Sequence, residues 1–363
     1  MTGANHSWGA RGAVRVNGGA VHYRRAGEPG APVVILLHGS PESASALFGV
    51  AGALEDRFDI IGFDTPGNGL SAPLDLSDPD ADDYARALFA FMDVMGIERA
   101  GLYGFHTGAG TAMSAALLAP ERIAALALDG YAVWTPQERE DLLARYCVVH
   151  ALLWDGSHLA RIWARLEEQL IFFPWNTPRL DARMDLPPTP LPVRLRRLRD
   201  WLTAGEGYPA PYRAAFKRDG HVGPDRTSVP TLLGAMARDP LSAHLTRLGP
   251  TSDAVRLRRW SGDHEAALRD IAAHLAEHSG EAARTPDPGD VPGDPELLAS
   301  LARPAPRLGW SPDEHGGFLL KLWRDLRLEA IAAAADQAAL DAALDPLTLH
   351  RRVTAVIQAE TGL

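Results

Sequence analysis

The sequence predicts an α/β chain built on a doubly wound, mostly parallel sheet, and three observations lead there. Short apolar runs without polar alternation occur at residues 33–37, 100–103 and 123–128; such a run reads as a strand buried on both faces, as in a parallel sheet. Helical stretches separate these runs, the pattern of repeated strand–helix units. Finally, Gly104-Phe105-His106-Thr107-Gly108 lies between an apolar run and a run of small residues. It therefore reads as a strand, a very tight turn and a helix, with glycines where the chain must bend sharply.

The elements follow in order. Residues 12–26 alternate about Asn17-Gly18-Gly19, with Val14, Val16, Val21 and Tyr23 in phase, and read as a β-hairpin. The run 33–37 ends in His38-Gly39-Ser40-Pro41. A helix is expected over 43–54, then the strand 58–63 leading into Asp64-Thr65-Pro66-Gly67-Asn68-Gly69-Leu70-Ser71, and a helix over 82–95. Strand, elbow and helix occupy 100–118, and a further strand 123–128. Helical segments at 136–146, 158–172, 193–202 and 212–218 interrupt the sheet pattern, which resumes at 229–233 and closes with 254–260. An amphipathic helix to about 278 follows Ser261-Gly262-Asp263-His264. Residues 285–295, rich in Pro, Gly and Asp, read as a linker. Ser311-Pro312-Asp313-Glu314 has the cap, N1 proline and N3 glutamate of a helix start, a long Ala- and Leu-rich helix runs toward Leu344, and Asp345-Pro346 opens a shorter one.

Composition narrows the function classes. The chain has 363 residues, 46% of them hydrophobic and 23% charged, and a formal net charge of −10, enough for a large core and contrary to the positive surface that phosphate binding needs. Arg194, Arg196, Arg197 and Arg199 cluster inside an expected helix and read as a solvated face. One cysteine, Cys147, excludes a disulfide framework. No signal-peptide core or membrane-length apolar run is present. A cytoplasmic protein is expected, without nucleic acid or membrane as partner. No metal cluster or dinucleotide fingerprint occurs, so no cofactor is implied.

Four motifs in register, His38-Gly39-Ser40-Pro41, the Asp64–Ser71 loop, Leu102-Tyr103-Gly104-Phe105-His106-Thr107-Gly108-Ala109 and Gly262-Asp263-His264, make the chain resemble the α/β-hydrolase fold family over about residues 12–278. The resemblance implies a core of residues 1–129 and 230–279 and a helical cap of 130–229 roofing the site. Residues 280–363, a linker and C-terminal helical extension, lie outside the family pattern. The departure is at the elbow apex, where the family presents a nucleophile and this chain presents His106.

By position His264 matches the family's catalytic histidine, a general acid–base. Asp239, beyond the seventh strand, is expected to orient it, with Asp129 at the end of the sixth as the alternative. Asp263 reads as a loop cap, and Asp64 as the brace of its own turn. Backbone N–H groups of Ser40 and Thr107 would form the oxyanion hole. His106 would bind substrate or share acid–base work. The cap stretch is dense in aromatics, among them Tyr146, Trp163 and Tyr212, which favours a pocket for a large apolar or aromatic small molecule. Trp134, Trp175, Phe105 and His38 are the substrate-contact candidates. The tail's apolar face, Phe318, Leu322, Leu326 and Ile331, must be buried across a homodimer or against the cap.

Three functions fit. The preferred one is cofactor-independent, non-hydrolytic acid–base chemistry of lyase or oxygenase type on a natural-product-like molecule, as in some relatives the chain resembles. The second is hydrolysis of an ester, lactone or epoxide by histidine-activated water. The third is a non-catalytic ligand-binding protein.

Overall fold

The computed structural model describes residues 8–177, 179–184, 186–187, 189–280, 293–301 and 316–361. They fall into two compact units, one containing the chain up to Cys147 together with Glu206–Leu301, the other Val148–Gly205 together with the C-terminal residues from 316.

The first unit is built on eight strands. β1 (Ala10–Val16) and β2 (Gly19–Gly27) pair antiparallel with Val14 opposite Val21, joined by Asn17 and Gly18 at φ 50° and 83°, the two positive values a tight hairpin turn requires. Next come β3 (Val33–Leu37), α1 (Phe48–Leu54), β4 (Asp59–Phe63), α2 (Ala81–Val94), β5 (Ala100–Phe105), α3 (Thr107–Leu118), β6 (Ile123–Asp129) and α4 (Pro136–Arg145). Helices α5 (Ser157–Ile171) and α6 (Leu191–Ala204) belong to the second unit. The first resumes with α7 (Pro209–Lys217), β7 (Thr231–Met236), β8 (Val255–Trp260), α8 (His264–His278) and α9 (Pro295–Leu301). The spatial order is β1-β2-β4-β3-β5-β6-β7-β8; β2 meets β4 antiparallel, and every pairing from β4 to β8 is parallel.

Alternate residues of the central strands serve opposite faces. Ile35, Leu37 and Leu102 pack with Leu88, Phe91, Ala112 and Met113 of α2 and α3. Val34, Leu36 and Tyr103 pack with Val50, Leu54, Ile271 and Leu275 of α1 and α8. All five residues of β3 are buried, which is why its sequence shows no alternation.

The second unit is helical. Besides α5 and α6 it contains α10 (Gly317–Ala333), α11 (Gln337–Leu344) and α12 (Pro346–Glu360). Phe318, Leu322, Trp323 and Leu326 of α10 are buried, and Trp163 of α5 meets Phe318 edge-on with ring centroids 5.6 Å apart. The tail's apolar face is thus covered by the chain's own cap helices, although Ile331 is 47% exposed. The long tail helix breaks at Ala334, and Asp336 caps α11 by accepting the Ala339 N–H at 2.8 Å.

Unit boundaries differ from the expected cap. Only 148–205 of the interval 130–229 group with the tail, while α4 and α7 belong to the α/β unit. The arginine cluster is likewise no solvated face. Arg194, Arg196 and Arg199 are buried, with Arg194 on Glu167 at 2.7 Å and Arg199 on Asp200 at 2.8 Å; the countercharge of Asp200, 1% exposed, makes that burial tolerable. Of the expected linker 285–295, residues 285–292 lie outside the described residues, as does the helix start at Ser311, and α9 begins at Pro295.

Candidate active site

The turn between β5 and α3 holds His106 at φ 49°, ψ −108°, a conformation that strains any residue with a Cβ. The turn closes because its neighbours have none: a Cβ on Gly108 would stand 2.3 Å from the Leu37 carbonyl oxygen. The His106 amide donates to the Asp129 carbonyl at 2.9 Å, tying the apex to the end of β6.

One face of the His106 ring stacks on Phe105, with centroids 4.0 Å apart and planes 17° from parallel. Its Cδ2–Nε2 edge lies over Gly130, where a Cβ would come within 2.3 Å of Cδ2. Nε2 reaches Asp239 Oδ2 at 2.7 Å. Asp239 follows β7, and its Oδ1 accepts the Leu241 N–H at 2.7 Å, so both carboxylate oxygens are fixed. With Nε2–H donating to Asp239, Nδ1 keeps a lone pair on the opposite edge of the ring. The His106 side chain is 29% exposed.

Three titratable groups share this corner. Burial disfavours the imidazolium of His106, but the Asp239 carboxylate, aided by Asp129 and Glu42, outweighs burial and holds its pKa above the ordinary value. Burial also acts against the Asp239 carboxylate, and the His106 charge and hydrogen bond with the Leu241 amide hold it below the usual range. Asp129 moves the other way: burial first, then the charge of Asp239, push it up to about 7. Tyr103 donates its phenolic O–H to Asp129 Oδ2 at 3.3 Å, and Oδ1 has no hydrogen-bond partner among the described residues. Two carboxyls with diverging pKa values beside one imidazole are the raw material of acid–base catalysis.

The structure distributes the sequence candidates unevenly. It brings together His106, Asp239, Asp129 and Phe105, but not His264. Helix α8 begins at His264 itself, with Asp263 as its N-cap accepting the Glu265 N–H at 3.0 Å. His264 is exposed and its Nε2 lies beside Gly49 of α1, 3.6 Å from where a Cβ on that glycine would stand. The carboxylate expected to orient it is engaged by the apex imidazole instead.

The oxyanion loop also differs from expectation. Ser40 N–H is occupied, donating to Thr107 Oγ1 at 2.8 Å. His38 is 1% exposed; its Nε2 accepts the Thr65 N–H at 3.0 Å and its Nδ1 faces the Gly39 carbonyl at 3.1 Å, so it braces two loops and has no nitrogen left for substrate. Asp64 does hold its own turn, accepting from Leu70 N–H at 3.0 Å and facing His22 Nδ1 at 2.8 Å; burial opposes its charge, and His22 more than compensates and keeps it well below the usual carboxylate range.

Trp134 is 6% exposed and packs edge-on to His244 and Phe216, at 4.6 and 5.7 Å, as a packing residue rather than a pocket wall. Trp175 lies in the helical unit beneath the Arg165 guanidinium, 4.3 Å from its ring centroid. A narrow cleft, with room for little more than a water, is lined by Thr65, Tyr84, Thr107, Thr111, Pro211 and Ala214 among others, with neither tryptophan in its wall. Sequence reading missed Gly130, Tyr103 and Asn68, whose Nδ2 donates to Ser40 Oγ at 3.3 Å. A glycine just past β6 was a readable signal for the first; the other two follow only from packing. Among the described residues no group of His, Cys, Asp and Glu could hold a metal ion, and no described helix is long and apolar enough to cross a membrane.

An α/β-hydrolase fold family model matches residues 32–146. The 2-hydroxy-6-oxononadienedioate/2-hydroxy-6-oxononatrienedioate hydrolase 2 of Pseudomonas putida is 34% identical over 114 residues, 30% of this chain and 40% of that protein. Epoxide hydrolase A of Mycobacterium tuberculosis is 38% identical over 116 residues, 31% of this chain and 36% of that one. The chain spans no more than 58% of the length of the curated relatives it matches. Among solved structures, epoxide hydrolase A of Mycobacterium thermoresistibile aligns with a TM-score of 0.56 at 21% identity, covering 74% of this chain and 98% of that chain. A hydrolase of Pseudomonas aeruginosa aligns with a TM-score of 0.58 at 20% identity, covering 74% and 99%. Sheet order, elbow and these likenesses agree: the chain has the α/β-hydrolase fold.

Proposed function

We propose that this protein is a hydrolase in which His106, oriented by Asp239, activates water directly, so that no acyl-enzyme forms. The contact of His106 Nε2 with Asp239 Oδ2 at 2.7 Å carries the reading. The carboxylate fixes the tautomer and stabilises the imidazolium, Nδ1 removes a proton from water, and the hydroxide oxygen bonds to the electrophilic carbon of an ester, lactone or epoxide. The departing oxygen then takes the proton back from the imidazolium. The names of the relatives, hydrolases of a dienedioate and of epoxides, support hydrolysis over the non-hydrolytic chemistry expected from the missing serine. The proposed setting is cytoplasmic.

The test is hydrolysis of aryl esters, lactones and styrene oxide in ¹⁸O-labelled water under single turnover, with intact-protein mass spectrometry. Label in the product and no adduct on the protein is the expected result. A covalent adduct, or no turnover in any of the three classes, would refute the reading.

A further inference from the structure

The hydrogen bonds around Ser40 carry more than the fold needs. Its amide donates to Thr107 Oγ1 at 2.8 Å, Thr107 Oγ1 in turn donates to Ser40 Oγ at 3.1 Å, and Ser40 Oγ also accepts from Asn68 Nδ2 at 3.3 Å. Asn68 is fully buried, so the network is anchored inside the protein. Thr107 is the first residue of α3 and lines the narrow cleft.

We propose that the Thr107 hydroxyl is a built-in plug of the oxyanion site, which turns the site away from acyl substrates and toward an epoxide. The proposal rests on the hydrolase reading above and narrows its substrate class. Ester or lactone hydrolysis places negative charge on a carbonyl oxygen, and preorganised N–H donors aimed at that oxygen supply much of the rate. Here one of the two expected donors is already satisfied by the chain's own hydroxyl. To reach it, a carbonyl oxygen must break the Thr107 bonds to the Ser40 amide and hydroxyl, and a β-branched side chain has few rotamers into which to retreat.

Epoxide opening makes a different demand. Water attacks a saturated carbon, its proton passes to His106, the carbon–oxygen bond of the ring breaks, and the alkoxide receives a proton, giving a diol with no other reactant. No tetrahedral carbonyl adduct forms, so the Ser40 amide is not required. Ser40 Oγ, which accepts from both Thr107 and Asn68, keeps its own O–H to hydrogen-bond the alkoxide, which takes its proton from the His106 imidazolium.

The experiment compares kcat/KM for p-nitrophenyl butyrate and styrene oxide in the wild type, Thr107→Ala, Thr107→Gly and Thr107→Ser. The wild type should prefer the epoxide. Loss of the hydroxyl should raise ester hydrolysis at least ~10-fold without raising epoxide opening, and Thr107→Ser, which keeps the hydroxyl but frees its rotamer, should lie between the wild type and the hydroxyl-free variants. A wild-type preference for the ester, or unchanged ester hydrolysis in both hydroxyl-free variants, would overturn the proposal. A second arm is independent of natural turnover: His106→Cys places a thiol at the apex, and its acetylation by p-nitrophenyl acetate is followed as a mass increase. His106→Cys with Thr107→Ala should acetylate at least ~10-fold faster than His106→Cys alone, and equal rates would refute the plug. A wild type inert to ester and epoxide sinks the hydrolase reading, while the cysteine arm still decides the role of Thr107.

Discussion

At the scale of single residues, the elbow shows how glycine positions license an unusual apex. His106 is held at positive φ, and its ring occupies the space that a side chain at position 130 would fill. Gly130 itself sits at φ 73°, so Gly130→Ala adds a Cβ in a disfavoured conformation and forces the imidazole off Asp239. The variant should lose at least ~10-fold in kcat/KM and more than ~1 kcal/mol of stability, measured by turnover and by denaturant unfolding; wild-type turnover would remove the ring position from the account. The pH profile is a second consequence. A base must be neutral, and the His106 pKa is held above 6.5, so the acid limb of kcat/KM should have its midpoint above that value and move down in Asp239→Asn. Asp129 acts on stability. Burial and the neighbouring Asp239 raise it from 3.8 to about 7, so between those pH values the folded protein binds more protons than the unfolded chain and stability falls as pH rises, by at most about 4 kcal/mol over the whole window. Asp129→Asn should gain stability relative to the wild type between pH 5 and pH 8, and a pH-independent difference would contradict the raised pKa.

At the scale of elements, α5 and α12 meet through two buried imidazoles. His158 Nδ1 accepts the Leu153 N–H at 3.1 Å, His158 Nε2 faces His350 Nδ1 at 3.5 Å, and His350 Nε2 faces the Leu202 carbonyl at 3.4 Å. The chain of bonds is complete only with both rings neutral. Burial, reinforced by His350, lowers His158 to about 4, so below pH 6.5 the unfolded chain binds protons that the folded one refuses, and the helical unit should lose stability as pH falls from 6.5 toward 4. Unfolding followed by tryptophan emission should show that loss and a flatter profile in His158→Gln; identical profiles would discount the pair. Most elements were legible because their periodicity was unmixed: β3 is wholly apolar, β1 and β2 alternate about Asn17-Gly18, and Asp345-Pro346 announced α12. The break at Ala334 was hidden because alanine favours continued helix on both sides, and only the Asp336 cap marks it. The pairing of His106 with Asp239 was hidden too. Both residues were named from the sequence, but which histidine an acid reaches depends on where α8 starts, and Asp263 starts it at His264.

At the scale of the whole molecule, the C-terminal residues and the segment 148–205 form one helical unit. Leu319, Trp323, Leu349 and Val353 are each no more than 1% exposed, so deleting residues 302–363 should unfold α5 and α6. The helical circular-dichroism signal should then fall by more than the deleted helices account for; a loss limited to those helices would show that 148–205 fold alone. The α/β unit holds the groups proposed to react, and the central claim concerns one of them, that the base is the apex histidine and not the histidine after β8. The most direct measurement is hydrolytic kcat/KM of His106→Gln beside His264→Gln, both checked for folding by thermal melting. The account predicts a loss of at least ~10²-fold for His106→Gln and a change under ~3-fold for His264→Gln; the reverse order would contradict it.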